Sequence, residues 1–199
     1  MLAVVPSATL HGLDGRLIRV EVDVAPGLPG FTIVGLADTA LQEARERVRG
    51  AVRNAGYAYP PRRITINLAP ADLRKGGASL DLAMAIGLLL GSEQIRPRTG
   101  VTALIGELSL TGEVRSVPGI LPMVAALVRR GVARVVVALD AVDEARLAGE
   151  IEVLGVRSLA DAAAILAARR PRHSPANLPR VTIEGGDGHP THDHAGPDS

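Results

Sequence analysis

A short loop that combines basic residues with glycines is the segment best suited to chemistry in this sequence. It consists of Arg74, Lys75, Gly76 and Gly77, and Lys75 is the only lysine of the chain. Glycines allow a backbone to approach a phosphate closely, and the N-terminus of a following helix favours anions. The loop therefore predicts a contact with the DNA backbone or with another subunit.

A second basic pair, Arg62 and Arg63, precedes a predicted strand. The two basic segments can form one small positive patch, which would extend the predicted contact with DNA or a subunit. The alternative interpretation is that both arginines are solvated charges at the entry to the strand. The sequence leaves both interpretations open.

The glycine loop does not have the order of a nucleotide-binding loop. A P-loop places its lysine after the glycines and before a serine or threonine, whereas Lys75 precedes Gly76 and Gly77. No segment matches that motif, and no strand ends in the acidic pair that a nucleotide-bound Mg²⁺ needs. We therefore expect this chain to hydrolyse no ATP and to hold no cofactor or metal by itself.

Ser79 follows the glycine loop and is the candidate nucleophile. A serine hydroxyl needs a base within hydrogen-bond reach, and a lysine must be buried to act as a base at neutral pH. Lys75 lies between Arg74 and Gly76, close to Asp72, in a loop that fixes no geometry. The sequence favours a simpler role for Ser79, as the N-cap of the next helix.

Other charged segments favour ordinary surface roles. The helix predicted between Asp38 and Gly56 carries Glu43 and Glu46, which can pair with Arg47 and Arg49. We therefore expect a solvated, salt-bridged face rather than DNA binding at the arginines with i, i+4 spacing, which are Arg45, Arg49 and Arg53. A solvated tail is likewise favoured over weak metal binding for the four C-terminal histidines, which are His173, His189, His192 and His194.

Composition limits the function classes. The net charge is +1 and the pI is near 8.3, below the value of about 9 typical of a dedicated nucleic-acid-binding domain, so any DNA contact must be local. The absence of cysteine excludes disulfides and thiolate metal sites and fits the reducing cytoplasm. No apolar stretch reaches the roughly 18 residues of a transmembrane helix, so we expect a cytoplasmic protein without a membrane partner.

Hydrophobic periodicity predicts an α/β domain over residues 1–169 and a disordered tail or truncated linker over residues 170–199. Apolar and polar residues alternate from Ile18 to Val24, as in a strand with one buried face. The predicted strands are 3–10, 18–24, 31–34, 64–68, 103–107, 112–115, 132–138 and 151–153, and the predicted helices are 38–56, 80–90, 121–130, 141–148 and 159–168.

Four stretches carry a family resemblance: LPGFTIVGLAD, ARERVRGAVRNAG, PPRRITINLAPADLRKGGASLDLAMAIG and GELSLTGEVRSVPGILPMVAAL. Together they resemble the N-terminal domain of the ComM/YifB magnesium chelatase-like AAA+ proteins, over roughly Leu2 to Ala168. The resemblance implies a two-layer α/β sandwich of the ribosomal protein S5 domain 2-like type, shared with the Lon protease domain. Full-length members resemble ring-forming DNA helicases, in which an AAA+ ATPase module follows this domain.

The relation to Lon proteases also implies where a Ser–Lys dyad would lie. Ser79 matches the serine position, but Leu121, after Pro118-Gly119-Ile120, stands where the lysine would be. Leucine cannot act as a base, so the dyad is expected to be degenerate and the chain to contain no catalytic residue.

Three functions follow from these observations. The first is a non-catalytic binding and assembly domain of a ComM/YifB-like DNA helicase, acting in recombination or natural transformation and lacking its ATPase module. Its partners would be DNA, an AAA+ module or like subunits in a ring, and ATP and Mg²⁺ would bind only an attached module. The alternatives are a free-standing DNA- or partner-binding module and a Lon-like serine peptidase.

Overall fold

Four strands near the N-terminus form one sheet, in a computed structural model that describes residues 1–35, 38–71, 78–97 and 100–167. The strands are β1 (Leu2–His11), β2 (Asp14–Ala25), β3 (Gly30–Val34) and β4 (Arg63–Ala69). Their order in the sheet is β1-β2-β4-β3. The pairs β1–β2 and β2–β4 are antiparallel, whereas β3 and β4 are parallel.

The alternation along β2 decides which face of this sheet is buried. Ile18, Val20, Val22 and Val24 are buried, and the intervening charged residues point to the opposite, solvated face. Such a strand packs one side against other elements and leaves the other side wet. The helices therefore lie in a second layer on the apolar face, which gives the two-layer α/β arrangement.

Three helices build much of that second layer. They are α1 (Asp38–Asn54), which connects β3 to its parallel neighbour β4, α2 (Asp81–Gly91) and α3 (Ile120–Arg129). Helices α2 and α3 pack against β1 and β2, and α1 packs against α2. Gly87 permits the close approach of α2, because a Cβ atom there would lie 2.5 Å from Cγ2 of Val22.

A second, parallel sheet completes the domain. Its strands are β5 (Ala103–Leu104), β8 (Arg134–Ala138) and β9 (Glu152–Val156), in the order β5-β8-β9, and a separate antiparallel pair is formed by β6 (Glu107–Leu108) and β7 (Val114–Arg115). The remaining helices are α4 (Val142–Arg146) and α5 (Leu159–Leu166). Ser7 links the two sheets, because its hydroxyl donates to the Leu104 carbonyl at 2.6 Å.

The α/β class is confirmed, and most predicted strands and helices are confirmed with shifts at their ends. The single strand predicted over residues 103–107 is wrong, because the chain forms two short strands there, β5 and β6, which belong to different sheets. The strand predicted at residues 132–138 is β8, in which Val135, Val136 and Val137 are fully buried, as in a strand that is covered on both faces. The predicted role of Ser79 as N-cap is wrong. A 3₁₀ turn, Ala78–Leu80, precedes α2 and moves the N-cap position to Leu80, which makes no side-chain cap hydrogen bond.

Two further predictions meet the described structure only in part. The short helix predicted from residue 141 to residue 148 ends at Arg146 and is preceded by a 3₁₀ turn, Leu139–Ala141. The predicted boundary after residue 169 and the tail with its four histidines lie outside the described residues. Within the described chain, no helix has the length and apolar character needed to cross a membrane.

Candidate functional site

A cleft of about 460 Å³ lies beside the 3₁₀ turn that contains Ser79, and we call it the serine cleft. It lies between β1, α1 and the segment that leads into α3. Its polar and charged lining, among the described residues, is Thr9, Glu43, Arg47, Ser79 and Glu107. The three ionisable side chains of this lining are thus two glutamates and one arginine.

The arginine of the serine cleft is held by a buried carboxylate. Nε of Arg47 donates to Oδ2 of Asp81 at 2.6 Å, and Nη2 donates to Oδ1 at 3.2 Å. The backbone N–H of Leu108 also donates to Oδ2 of Asp81 at 3.2 Å. Asp81 is fully buried at the start of α2. The planar guanidinium fork matches the two carboxylate oxygens, so the Arg47–Asp81 pair joins α1 to α2 in one fixed geometry.

Burial changes the acid–base properties of this pair. Desolvation raises the pKa of Asp81 to about 6, although the hydrogen bond and charge of Arg47 and the Leu108 N–H act in the opposite direction. The hydrogen bond to Asp81 raises the pKa of Arg47, so the guanidinium stays protonated. Arg47 also lies 3.6 Å from the Glu43 carboxylate, which confirms the predicted i, i+4 pairing of these two residues.

The structure separates the two positions of the expected dyad. Ser79 is buried on the wall of the serine cleft, whereas Leu121 is 37% exposed on α3 and does not belong to the cleft lining. The backbone N–H of Leu121 donates to Oε1 of Glu144, a residue of α4, at 3.0 Å. No observation tests whether the dyad is inactive, so the degenerate dyad stays a prediction.

Of the two predicted basic segments, the structure describes only Arg62 and Arg63. Arg74, Lys75, Gly76 and Gly77 lie outside the described residues, so their predicted role in binding stays a prediction. Arg62 and Arg63 are both exposed, as expected for solvated charges at the entry to a strand. Arg63 is the first residue of β4, and Arg62 lines a second pocket.

This second pocket, the arginine groove, has a volume of about 250 Å³. One wall is α1, which contributes Arg45, Arg49 and Arg53, and the other is the segment before β4, which contributes Arg62. Tyr59 and Phe31 also line the groove, with ring centroids 6.5 Å apart. The backbone N–H of Gly30 donates to the Arg62 carbonyl at 3.3 Å and joins the start of β3 to the Arg62 wall.

The arginines of this groove interact with an aromatic ring. The guanidinium carbons of Arg49 and Arg53 each lie 5.7 Å from the centroid of the Tyr59 ring, within the range of a cation–π contact. Burial raises the pKa of the Tyr59 phenol, while the nearby arginine charges oppose that rise. Tyr59 is therefore a neutral ring at physiological pH, and its face stabilises cations beside it.

The prediction of a salt-bridged face is wrong for the arginine groove. Within the described part of the chain, neither Arg49 nor its neighbours Arg45 and Arg53 form an ion pair. The Nε atoms of Arg45 and Arg49 are buried and have no hydrogen-bond partner among the residues that the structure describes. The physical reason is that helical spacing places a glutamate within reach of an arginine but does not oblige the two to pair. The Tyr59 ring attracts the guanidiniums of Arg49 and Arg53 instead.

Sequence reasoning missed Asp81 and Tyr59 as site residues. The sequence could have identified Asp81, because a single acidic residue in an apolar helix needs a buried partner. The sequence could not identify Arg47 as its partner, since several arginines of α1 have the same local pattern. Tyr59 is one of three aromatic residues in the whole chain, which alone marked it as unusual.

Comparison with known proteins gives a consistent result. Residues 20–141 match the family model described as subunit ChlI of Mg-chelatase. The chain is 46% identical to the uncharacterized protein YifB of Escherichia coli (strain K12) over 147 residues, which cover 73% of this chain and 29% of YifB. It is 38% identical to the competence protein ComM of Haemophilus influenzae over 161 residues, which cover 80% of this chain and 31% of ComM.

A more distant similarity reaches the Lon proteases. The chain is 28% identical to the Lon protease of Salinispora arenicola over 186 residues, which cover 87% of this chain and 23% of that protease. The chain spans less than a third of the length of these curated relatives.

Proposed function

Because this chain belongs to the family of the Mg-chelatase subunit ChlI, we propose that it is a non-catalytic binding and assembly domain of a ComM/YifB-like AAA+ DNA helicase. In this proposal the helicase acts in recombination or natural transformation in the cytoplasm. The domain would contact DNA, an AAA+ module or like subunits in a ring. ATP and Mg²⁺ would be cofactors of the AAA+ module and not of this domain.

The similarity to YifB and ComM, over 147 and 161 residues respectively, carries the proposal. Among the described residues, Arg47 is the one arginine that lines the serine cleft, and Asp81 fixes its guanidinium. Within the described residues, no three His, Asp or Glu side chains are grouped as ligands of one metal ion.

DNA binding by the full chain tests the proposal. Fluorescence anisotropy with labelled single-stranded, duplex and branched oligonucleotides would measure the dissociation constant from about 50 mM salt upward. We expect an affinity that falls as salt rises, and a weaker affinity in R74A/K75A. The matched control is R129A/R130A, which removes two exposed charges from the end of α3. Absence of binding at the lowest salt would contradict a DNA-binding role.

A serine peptidase is the second candidate, favoured by the place of Ser79 in the serine cleft and by the similarity to Lon. Casein hydrolysis by the full chain and by Ser79→Ala separates it from the leading proposal. A peptidase requires turnover that Ser79→Ala abolishes. We expect no turnover above background in either protein, because neither Glu43, Arg47 nor Glu107 is suited to deprotonate a serine in the way a neutral lysine does.

A free-standing DNA- or partner-binding module is the third candidate. It differs from the leading proposal in assembly, so a separately produced AAA+ module of a ComM/YifB relative supplies the test. Co-elution of the two proteins in size-exclusion chromatography supports the assembly role. DNA binding without any co-elution supports the free-standing module.

A further inference from the structure

We propose that the arginine groove, defined by Arg45, Arg49, Arg53 and Arg62 around Tyr59, binds the phosphate backbone of single-stranded nucleic acid. The inference deepens the proposed function and rests on it, since that function supplies DNA as the partner. It assigns the contact to α1 and to the segment before β4, which is a different place from the loop of Arg74 and Lys75.

Charge is the first argument. All four ionisable groups that line the groove, among the described residues and apart from the Tyr59 phenol, are arginines. Glu46 is the acidic residue that acts electrostatically on Tyr59, and it forms no ion pair with these arginines in the described structure. A concave surface that has four guanidiniums and no carboxylate among its described lining residues concentrates positive potential and attracts an anion.

Burial without partners is the second argument. Arg45 and Arg49 are half-buried, and the Nε–H groups of both are shielded from solvent with no acceptor among the described residues. A donor left in this condition costs free energy until an acceptor arrives. The phosphate oxygens of a bound strand would supply acceptors at the mouth of the groove, where the guanidinium forks offer further N–H donors.

The spacing of the arginines favours a strand over a single small anion. Arg45, Arg49 and Arg53 are four residues apart on one row of α1, which separates successive side chains by about 6 Å along the helix axis. That separation is comparable with the distance between neighbouring phosphates of one nucleic-acid strand. Arg62 faces them from the other wall, so a backbone lying along α1 would meet cations on two sides.

The aromatic rings favour a nucleic acid over an acidic peptide. Phe31 and Tyr59 give the groove an apolar surface beside its cations, and nucleic-acid strands combine phosphates with flat bases and sugars that pack on such surfaces. Bases can stack on such rings only where they are not paired in a duplex. The expected ligand is therefore single-stranded.

The experiment compares two charge-matched variants of the full chain. R49Q/R53Q removes two groove charges, and R129Q/R130Q removes two exposed charges at the end of α3. Anisotropy with a labelled single-stranded oligonucleotide should show R49Q/R53Q bound at least about tenfold more weakly than wild type, with the salt slope reduced by about 1.4 for two lost phosphate contacts. R129Q/R130Q should bind within about twofold of wild type. Circular dichroism checks that both variants are folded.

The outcomes separate this inference from the proposed function. Wild-type binding that R49Q/R53Q retains and R74A/K75A loses would overturn the groove and leave the function standing. Absence of wild-type binding would overturn both. A polyglutamate peptide that competes as well as an unlabelled oligonucleotide of equal length, or a duplex that binds as tightly as the single strand, would overturn the assignment to single-stranded nucleic acid.

Discussion

Arg47 and Arg49 lie two positions apart on α1 and have opposite electrostatic surroundings. Arg47 turns toward the serine cleft, where Asp81 accepts two hydrogen bonds from it and Glu43 lies nearby. Arg49 turns toward the arginine groove, where the Tyr59 ring is its only partner among the described residues. The same side chain is therefore a neutralised structural element on one side of α1 and an available cation on the other.

The difference shows that the charge of an arginine does not predict whether it stabilises the fold or binds a ligand until its partner is known. A carboxylate buried in α2 fixes Arg47 and neutralises its charge. An aromatic ring holds Arg49 in place but leaves its charge unneutralised. We therefore expect anions to bind in the arginine groove, where no carboxylate pairs with Arg49 in the described structure. We expect the stability of the fold to depend on the Arg47–Asp81 pair.

The largest expected effect comes from removing Arg47. In Arg47→Ala, Asp81 stays buried with only the Leu108 N–H as a donor, and breaking a buried pair in this way costs about 3–5 kcal/mol. Urea unfolding followed by circular dichroism measures the loss. A loss below about 1 kcal/mol in Arg47→Ala would contradict the view that Arg47 is structural whereas the groove arginines are not.

The pH dependence of stability should report the same buried carboxylate. The pKa of Asp81 is raised from 3.8 to about 6 on folding. The folded state therefore holds this proton more tightly, so the stability that protonation provides is fully present below pH 3.8 and is lost as pH rises through about 6.

Relative to Asp81→Asn, the wild-type free energy of unfolding should fall by about 2–3 kcal/mol between pH 4 and pH 7. Urea unfolding at a series of pH values measures both proteins. A difference between them that is constant across this range would contradict the raised pKa.

A smaller effect is expected when both members of the pair are replaced. R47M/D81L removes both charges together and leaves the Leu108 N–H without its acceptor, so the double variant should lie within about 2 kcal/mol of wild type. It should thus be more stable than Arg47→Ala, as a double-mutant cycle would record. A double variant as unstable as Arg47→Ala would show that packing, and not charge, determines the cost.

The smallest effect is expected in the arginine groove. R49Q/R53Q breaks no ion pair in the described structure and relieves repulsion between like charges, so its stability should change by less than about 1 kcal/mol, with a small loss from the cation–π contacts. Thermal unfolding at low and high salt measures this. A destabilisation comparable to that of Arg47→Ala would make these arginines structural and would weaken the comparison.

The sequence was sufficient to predict most of the strands but not their pairing into sheets, because local alternation determines only which residues of a strand can be buried. The residues from Ile18 to Val24 needed no tertiary information for that prediction. The apolar run of β8 likewise predicted a strand covered on both faces. The 3₁₀ turn at Ser79 was not predictable, since its formation depends on how the chain enters α2 and not on the serine itself.

The site was less predictable for a physical reason. Arg45, Arg47 and Arg49 have nearly the same neighbours in sequence, and only the packing of α1 against α2 brings Asp81 to Arg47. The contacts of Arg49 and Arg53 with Tyr59 depend on the loop after α1, which returns to the helix. Both outcomes are long-range, so no local pattern could distinguish these arginines.

The crossover helix α1 also limits how the length of this chain can vary. An α-helix turns by about 100° per residue. One residue inserted into α1 ahead of Arg45 would therefore rotate the groove arginines of α1 away from the arginine groove, and it would also rotate Arg47 away from Asp81. Because β3 and β4 are paired in a fixed parallel register, the helix cannot slide to absorb the change. Single insertions should be tolerated in the turn between β1 and β2 and rejected in α1, which a library of one-residue insertions scored by solubility would reveal.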